Sequence, residues 1–192
     1  VLRPGLASPS MLHRFRHEAH LLGRLRHPGI VPIFDAGTTE IDGRRQPYLV
    51  MDDIEGQTLT AFAAERTLDD AARLRLIAAV CDAIEHAHQK GVIHRDLKPA
   101  NILVDTDRDE PQPKILDFGI ARTIEDDRFL TTMRTDVGQV LGTLAYMSPE
   151  QIAADPDALD TRSDVYAIGV IAYELLAGRL PLDLARRPLP DA

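Results

Sequence analysis

Two runs of residues in this chain carry groups able to do chemistry. His94-Arg95-Asp96-Leu97-Lys98-Pro99-Ala100-Asn101 sets a carboxylate, an ammonium and a carboxamide at fixed offsets. Downstream, Asp117-Phe118-Gly119 adds a second carboxylate on a glycine-flexed turn. Carboxylate and carboxamide oxygens are the hard donors that magnesium prefers, and the ion keeps several waters, so one Asp and one Asn suffice beside a nucleotide. Phosphoryl transfer asks for positioning and charge neutralisation more than for covalent chemistry. Asp96, Lys98, Asn101 and Asp117 are together the parts needed to hold magnesium and a hydroxyl nucleophile around a triphosphate. Two plain loops with capping Asp residues and turns at Pro99 and Gly119 would share pieces of this pattern. Eight consecutive positions followed by a triplet argue against that reading.

The elements that must position these groups are legible in outline. Ser10 reads as a helix N-cap, and Leu12, Phe15, Ala19 and Leu22 follow at helical spacing. His27-Pro28-Gly29 breaks that helix. Residues 30–34 and 48–51 read as strands, with a turn-rich stretch over 37–47 between them. A long helix fits residues 70–89, ended by Gly91, with Leu76, Ala79, Val80, Ala83 and Ile84 on one face. Residues 102–104 and 114–116 read as a small strand pair. Residues 117–150 have little periodicity and many threonines, as a mobile loop would. A second apolar helix fits 163–177, capped by Gly178. A little sheet followed mostly by helix is an α+β chain, without internal repeats.

The two motifs resemble the protein-kinase signature, and the resemblance runs from about Leu2 to about Pro190. It implies a bilobal fold, with a partial small lobe over 1–54 and a partial large lobe over 55–192. Arg24-Leu25-Arg26-His27-Pro28 and Gly142-Thr143 through Ser148-Pro149-Glu150-Gln151 resemble bacterial serine/threonine kinases of eukaryotic type most closely. The implied activity is transfer of the ATP γ-phosphoryl group to protein Ser or Thr hydroxyls, with ATP and Mg2+ as cofactors. Asp96 would accept or orient the proton of the attacking hydroxyl, and Lys98 would stabilise the group in transfer. Asn101 and Asp117 would ligate magnesium.

The same resemblance extends to further positions. Glu18 would pair with a strand lysine that holds the phosphates. Met51 would lie behind the adenine, the backbone of Asp52 and Ile54 would bond it, and Leu103 would lie beneath it. An aromatic residue is common in relatives where Asp53 stands. Arg95 would meet a phosphate on the activation loop, for which Thr131, Thr132 and Thr135 are candidates and Thr135 is favoured. Thr143 would bond near Asp96 and Lys98, a trait of kinases acting on Ser or Thr, and Glu150 belongs to the substrate-docking end. Asp164 would cap the second apolar helix and accept bonds from the catalytic-loop backbone. Leu22, Ile33, His94 and Phe118 would form one apolar column, and Ile171 and Leu175 the base of another.

Bulk properties bound the partners. The 192 residues carry a formal charge of -8, which argues against a nucleic-acid partner. The longest apolar run, 165–178, is interrupted by Glu174 and is too short for a membrane segment. The single cysteine, Cys81, sits in a helical pattern and reads as a small buried hydrophobe, in keeping with a reducing, cytoplasmic location. His86 and His88 are two apart, which puts them on different helix faces and speaks against metal binding. The resemblance admits a dimer that phosphorylates itself in trans.

Two expected parts have no counterpart. No G-x-G-x-x-G pattern occurs, and the only lysines, Lys90, Lys98 and Lys114, all come after Glu18. Val1-Leu2-Arg3-Pro4 resembles the residues just beyond the strand lysine, and 186–192 close without a terminal element, so the chain reads as a fragment. Losing an electrostatic clamp typically costs several kcal/mol of transition-state stabilisation. The piece alone is therefore expected to turn over little. The rival readings are a catalytically inactive pseudokinase or scaffold, and a small-molecule kinase of similar fold. Four intact polar residues argue against the first, and the 143–150 segment argues against the second.

Overall fold

The computed structural model describes residues 9–41, 44–106, 110–118, 143–153 and 159–182. Helix α1 (Pro9–Leu22) opens on a proline, whose missing N–H and fixed φ suit the first helical position. Ser10 thus lies inside the helix and is not its cap. The helix buries Phe15, Ala19 and Leu22, the i, i+4, i+7 spacing of one face.

Strands β1 (Ile33–Ile41) and β2 (Arg44–Met51) pair antiparallel from Ile33↔Met51 to Ile41↔Arg44. This corrects the expected turn-rich stretch over 37–47, because both strands run through it. Threonine favours strands, and Asp42-Gly43 between the last paired residues is a dipeptide favoured by two-residue hairpins. Ile30, expected in a strand, makes only an isolated bridge to Ile115.

A second sheet holds β3 (Gly56–Thr58), β4 (Ile102–Asp105) and β5 (Gln112–Ile115) in that antiparallel order. Burial alternates along β4, with Ile102 and Val104 inward and Leu103 on the more open face. A short helix α2 (Leu59–Glu65) follows β3. Helix α3 (Asp70–Gln89) matches its expected span. The Asp69 carboxylate accepts from the Ala72 N–H at 2.7 Å to start it, and Gly91, with φ at 75°, lets the chain turn away after it. Its buried face is Leu76, Val80, Ala83, Ile84 and Ala87. Cys81 is exposed, against expectation. One residue on from buried Val80, it is turned roughly 100° around the helix toward solvent.

Helices α4 (Pro149–Ile152) and α5 (Arg162–Ala177) complete the described elements. Gly178, at φ 68°, ends α5. One apolar cluster joins Phe15, Leu22, Leu25 and Ile30 to Leu59, Leu76, Val80, Ile84, Ile102, Ile115 and Ile171, so burial of apolar area binds α1 to α3, α5 and the second sheet. The seam is reinforced by the backbone: Val31 N–H donates to the Ile115 carbonyl at 3.1 Å, and Ile115 N–H to the Gly29 carbonyl at 2.9 Å. Gly29 is required there, since a Cβ would lie 2.9 Å from that of Ala83. Among the described residues no helix is long and apolar enough to cross a membrane.

Candidate active site

The loop between α3 and β4 is bent into an unusual backbone shape. Arg95 has φ at 65° and Asp117 has φ at 49°, a left-handed region that non-glycine residues occupy only under constraint. For Arg95 that constraint comes mainly from α5. The Asp164 carboxylate accepts from the His94 and Arg95 N–H groups, each at 2.8 Å, and contacts His88 Nε2 at 2.7 Å. Asp164 is only 1% exposed, so these bonds replace water in a site of low polarisability. The expectation that it caps α5 needs correction. The residue at the cap is Thr161, and Asp160 accepts from the Arg162 N–H at 2.8 Å. Asp164 turns inward instead. His88, without an assigned role in the sequence, is the third arm of this cluster.

His94 is fully buried, and the chemistry of its neighbours fixes its proton. Nε2 faces the Leu116 carbonyl at 2.9 Å and must donate, while Nδ1 accepts from the Asp96 N–H at 3.3 Å. Its ring meets Phe118 with centroids 4.7 Å apart. Burial pushes the His94 pKa down, opposed by the carboxylates of Asp164, Asp96 and Asp117 and by the Leu116 carbonyl. The unfolded chain then takes up a proton that the folded chain refuses. Stability should therefore fall as pH drops below about 6.5, by up to ~1.4 kcal/mol per pH unit until the depressed folded pKa is reached. Thermal melts of the chain and of His94→Phe at neutral and mildly acidic pH check this; equal pH slopes in the two would remove His94 as the source.

Asp96, Lys98 and Asn101 converge. Lys98 Nζ lies 3.0 Å from Asp96 Oδ2, both groups about a quarter exposed. Asn101 Nδ2 donates to the Asp96 carbonyl at 2.8 Å and to Asp96 Oδ2 at 3.3 Å. The short 3-10 turn Pro99–Asn101 brings this about, returning the chain within five residues. With Nδ2 so committed, Asn101 Oδ1 points away as an acceptor. The Asn101 carbonyl accepts from the Leu116 N–H at 2.9 Å, which holds Asp117 in the neighbouring strand exit. Two hard oxygen donors, one just before β4 and one just after its neighbour β5, fit a magnesium ion that draws its other ligands from water and phosphate. Among the described residues no three His, Cys, Asp or Glu side chains cluster as a metal site.

The remaining candidates surround this centre. Glu18, on the inner side of α1, lines a cavity of about 180 Å3 with Leu22, Arg95 and Phe118. Ile33 packs partly buried against the same core, and Ile171 and Leu175 are buried deeper. Met51 ends β2 half-buried, and Ile54 and Leu103 are half-buried too. Asp52 donates its N–H to the Pro32 carbonyl at 3.2 Å. Register pairs Thr58 of β3 with Leu103, which carries the segment after Met51 alongside β4. Thr143 lines a narrow cleft with Asp96, Lys98 and Asp164. Glu150 Oε1 accepts from Ser163 Oγ at 2.8 Å. Its own backbone N–H, then the hydroxyls of Ser163 and Ser148, hold its pKa below the usual carboxylate value. Tyr146 donates to Glu174 at 2.6 Å. Thr131, Thr132 and Thr135, with Gly119 and Gly142, lie outside the described residues. The residue that the sequence left unmarked is Gln151, though its spacing from Ser148 is that of a capping box.

Comparison with known proteins identifies a family. The family model described as protein kinase domain matches residues 5–188. The serine/threonine-protein kinase PknB of Mycobacterium leprae is 41% identical over 183 residues, covering 94% of this chain and 28% of the relative. PknB of Mycobacterium tuberculosis (strain H37Rv) is 42% identical over the same length, and the probable serine/threonine-protein kinase PknB of Corynebacterium glutamicum is 40% identical over 185 residues, 27% of its length. The chain thus spans little more than a quarter of the relatives it matches. Among solved structures, a mutant of the Mycobacterium tuberculosis PknI kinase domain superposes with a TM-score of 0.65 at 30% identity, covering 94% of this chain and 65% of that one. A double mutant of the same domain gives 0.66 at 29% identity, covering 92% and 61%. The fold is accordingly a truncated kinase-like α+β fold, and the chain belongs to the protein kinase domain family.

Proposed function

We propose that the protein carrying this chain transfers the γ-phosphoryl group of ATP to Ser or Thr hydroxyls of a protein substrate. The observation that carries the reading is the convergence of Lys98 Nζ, at 3.0 Å, and Asn101 Nδ2, at 3.3 Å, on Asp96 Oδ2. Asp96 orients the substrate hydroxyl and receives its proton. Lys98 sits beside it, placed to neutralise the phosphoryl group in transfer. Asn101 Oδ1 and the Asp117 carboxylate would hold magnesium, which when bound would offset the negative charge of the phosphates. Thr143, in the same cleft, faces the arriving hydroxyl. Glu150 steadies the docking segment through Ser163.

Residues 1–54 are read as part of a small lobe and 55–192 as part of a large one. Adenine would lie between Met51 and Leu103. The Asp52 N–H is occupied by Pro32, so the Asp52 carbonyl and the Ile54 backbone serve the purine. Glu18 faces the centre to pair with a lysine, and Arg95 meets a phosphothreonine at Thr135. A cytoplasmic location for this segment and dimers that phosphorylate in trans complete the proposal.

Radiolabelled ATP supplied to the full-length gene product decides it. Magnesium-dependent label is expected on Ser or Thr of a protein substrate or of the enzyme itself. Failure to label any Ser/Thr protein, with nucleotide still bound, would instead make the protein a pseudokinase.

A further inference from the structure

Gln151 has no part in the scheme above, yet its amide spans two segments. Nε2 donates to the Arg95 carbonyl at 2.6 Å, a residue 56 positions earlier. Oε1 accepts from the Ser148 N–H at 3.1 Å and from the Ser148 hydroxyl at 3.2 Å. Chemistry fixes this orientation. A carbonyl can only accept and an N–H can only donate, so a reversed amide would make two repulsive contacts. The side chain is partly buried and lines the narrow cleft shared by Asp96, Lys98 and Thr143.

The bonded carbonyl occupies a special place. Arg95 is the residue held at φ 65°, a strained conformation that persists only where surroundings impose it. Asp164 grips its N–H at 2.8 Å, and Gln151 grips its carbonyl. That carbonyl belongs to the peptide unit whose nitrogen is Asp96 N. The two bonds therefore clamp the backbone on both sides of Arg95, and the second sets the plane from which the Asp96 side chain departs.

We infer that Gln151 is a positioning residue. It ties the segment from Thr143 to Gln151, where a polypeptide substrate docks, to the peptide unit in front of Asp96. Docking surface and carboxylate then move as one body. The kinetic consequence rests on the phosphotransfer reading; the structural bridge does not.

Two variants test it. Gln151→Leu removes both ends of the bridge. Gln151→Glu keeps an acceptor for Ser148 but sets a carboxylate oxygen against the Arg95 carbonyl. The first measurement needs no turnover: amide hydrogen exchange on the 192-residue chain. Arg95 and Asp96 amides should exchange about tenfold faster or more in both variants, while the amides along α3 exchange as before. Unchanged exchange at Arg95 and Asp96 overturns the inference.

The second measurement is steady-state phosphorylation by the full-length gene product. Here kcat should drop about 10- to 100-fold, since sub-ångström misplacement carries costs of that order, with affinity for a fluorescent ATP analogue within about twofold. As pH is lowered from about 8 to about 5.5, Gln151→Glu should regain activity relative to wild type, because a protonated carboxyl again donates to the Arg95 carbonyl; Gln151→Leu should not. A flat ratio together with a lowered melting temperature would mean a merely structural role, and would overturn the proposal. If exchange responds while wild-type protein labels nothing, the bridge stands and the phosphotransfer reading fails. If both variants turn over normally, the bridge falls and phosphotransfer survives.

Discussion

Asp96→Asn in the full-length gene product is expected to lower turnover by about 10³-fold while leaving nucleotide affinity within about twofold. The asymmetry follows from geometry. The carboxylate meets Lys98 at 3.0 Å and Asn101 at 3.3 Å through the same oxygen, Oδ2, so these two donors hold the side chain in place for its work as a base. Asparagine is the same size and keeps an anchoring oxygen, but it has no second oxygen able to take a proton. Residues that face adenine and magnesium remain untouched. Paired measurements of kcat and of fluorescent-nucleotide affinity check the result. Turnover within about tenfold of wild type would remove Asp96 from its assigned role.

Asp164→Ala is expected to destabilise the chain itself by about 3 to 5 kcal/mol, read as a drop of roughly 10 °C or more in melting temperature. Three donors converge on this one carboxylate at 2.7 to 2.8 Å. Alanine would strand the N–H groups of His94 and Arg95 in a buried place, where each unpaired donor costs about 1 to 3 kcal/mol. Asp164→Asn keeps one acceptor but points an amide N–H at another donor, so an intermediate loss is expected. Circular dichroism melts of the 192-residue chain suffice. A change below about 1 kcal/mol would mean that water satisfies the stranded groups, and the clamp argument would fail.

How much of this was legible depends on sequence distance. Helix α3 could be bounded to the residue, because Asp69 and Gly91 mark its ends locally. Asp96, Lys98 and Asn101 could be grouped because they lie within six positions and a proline turn folds them together. The hairpin was misjudged because its glycine and threonines outweighed Asp42-Gly43, the shorter and better signal. Cys81 was misplaced because the apolar face of α3 is narrow, and one residue of rotation decides burial. The role of Asp164 was anticipated only from resemblance, and its contact with His88 spans 76 positions that no local pattern connects. Gln151 was hidden for the same reason. Its local spacing announces a cap, while its second bond reaches back to Arg95.

The clamp from α5 also governs when the molecule can be assembled. His94 and Arg95 are held by a carboxylate 70 and 69 positions later, so the bend that shapes the loop waits on a long chain closure, an entropic cost that must be met before any bond rewards it. During synthesis, a chain that has emerged only through Asn101 holds every residue of the first motif but lacks the carboxylate that fixes the bend at His94 and Arg95. The bend at Arg95 is therefore expected to be completed only once α5 is in place to supply Asp164.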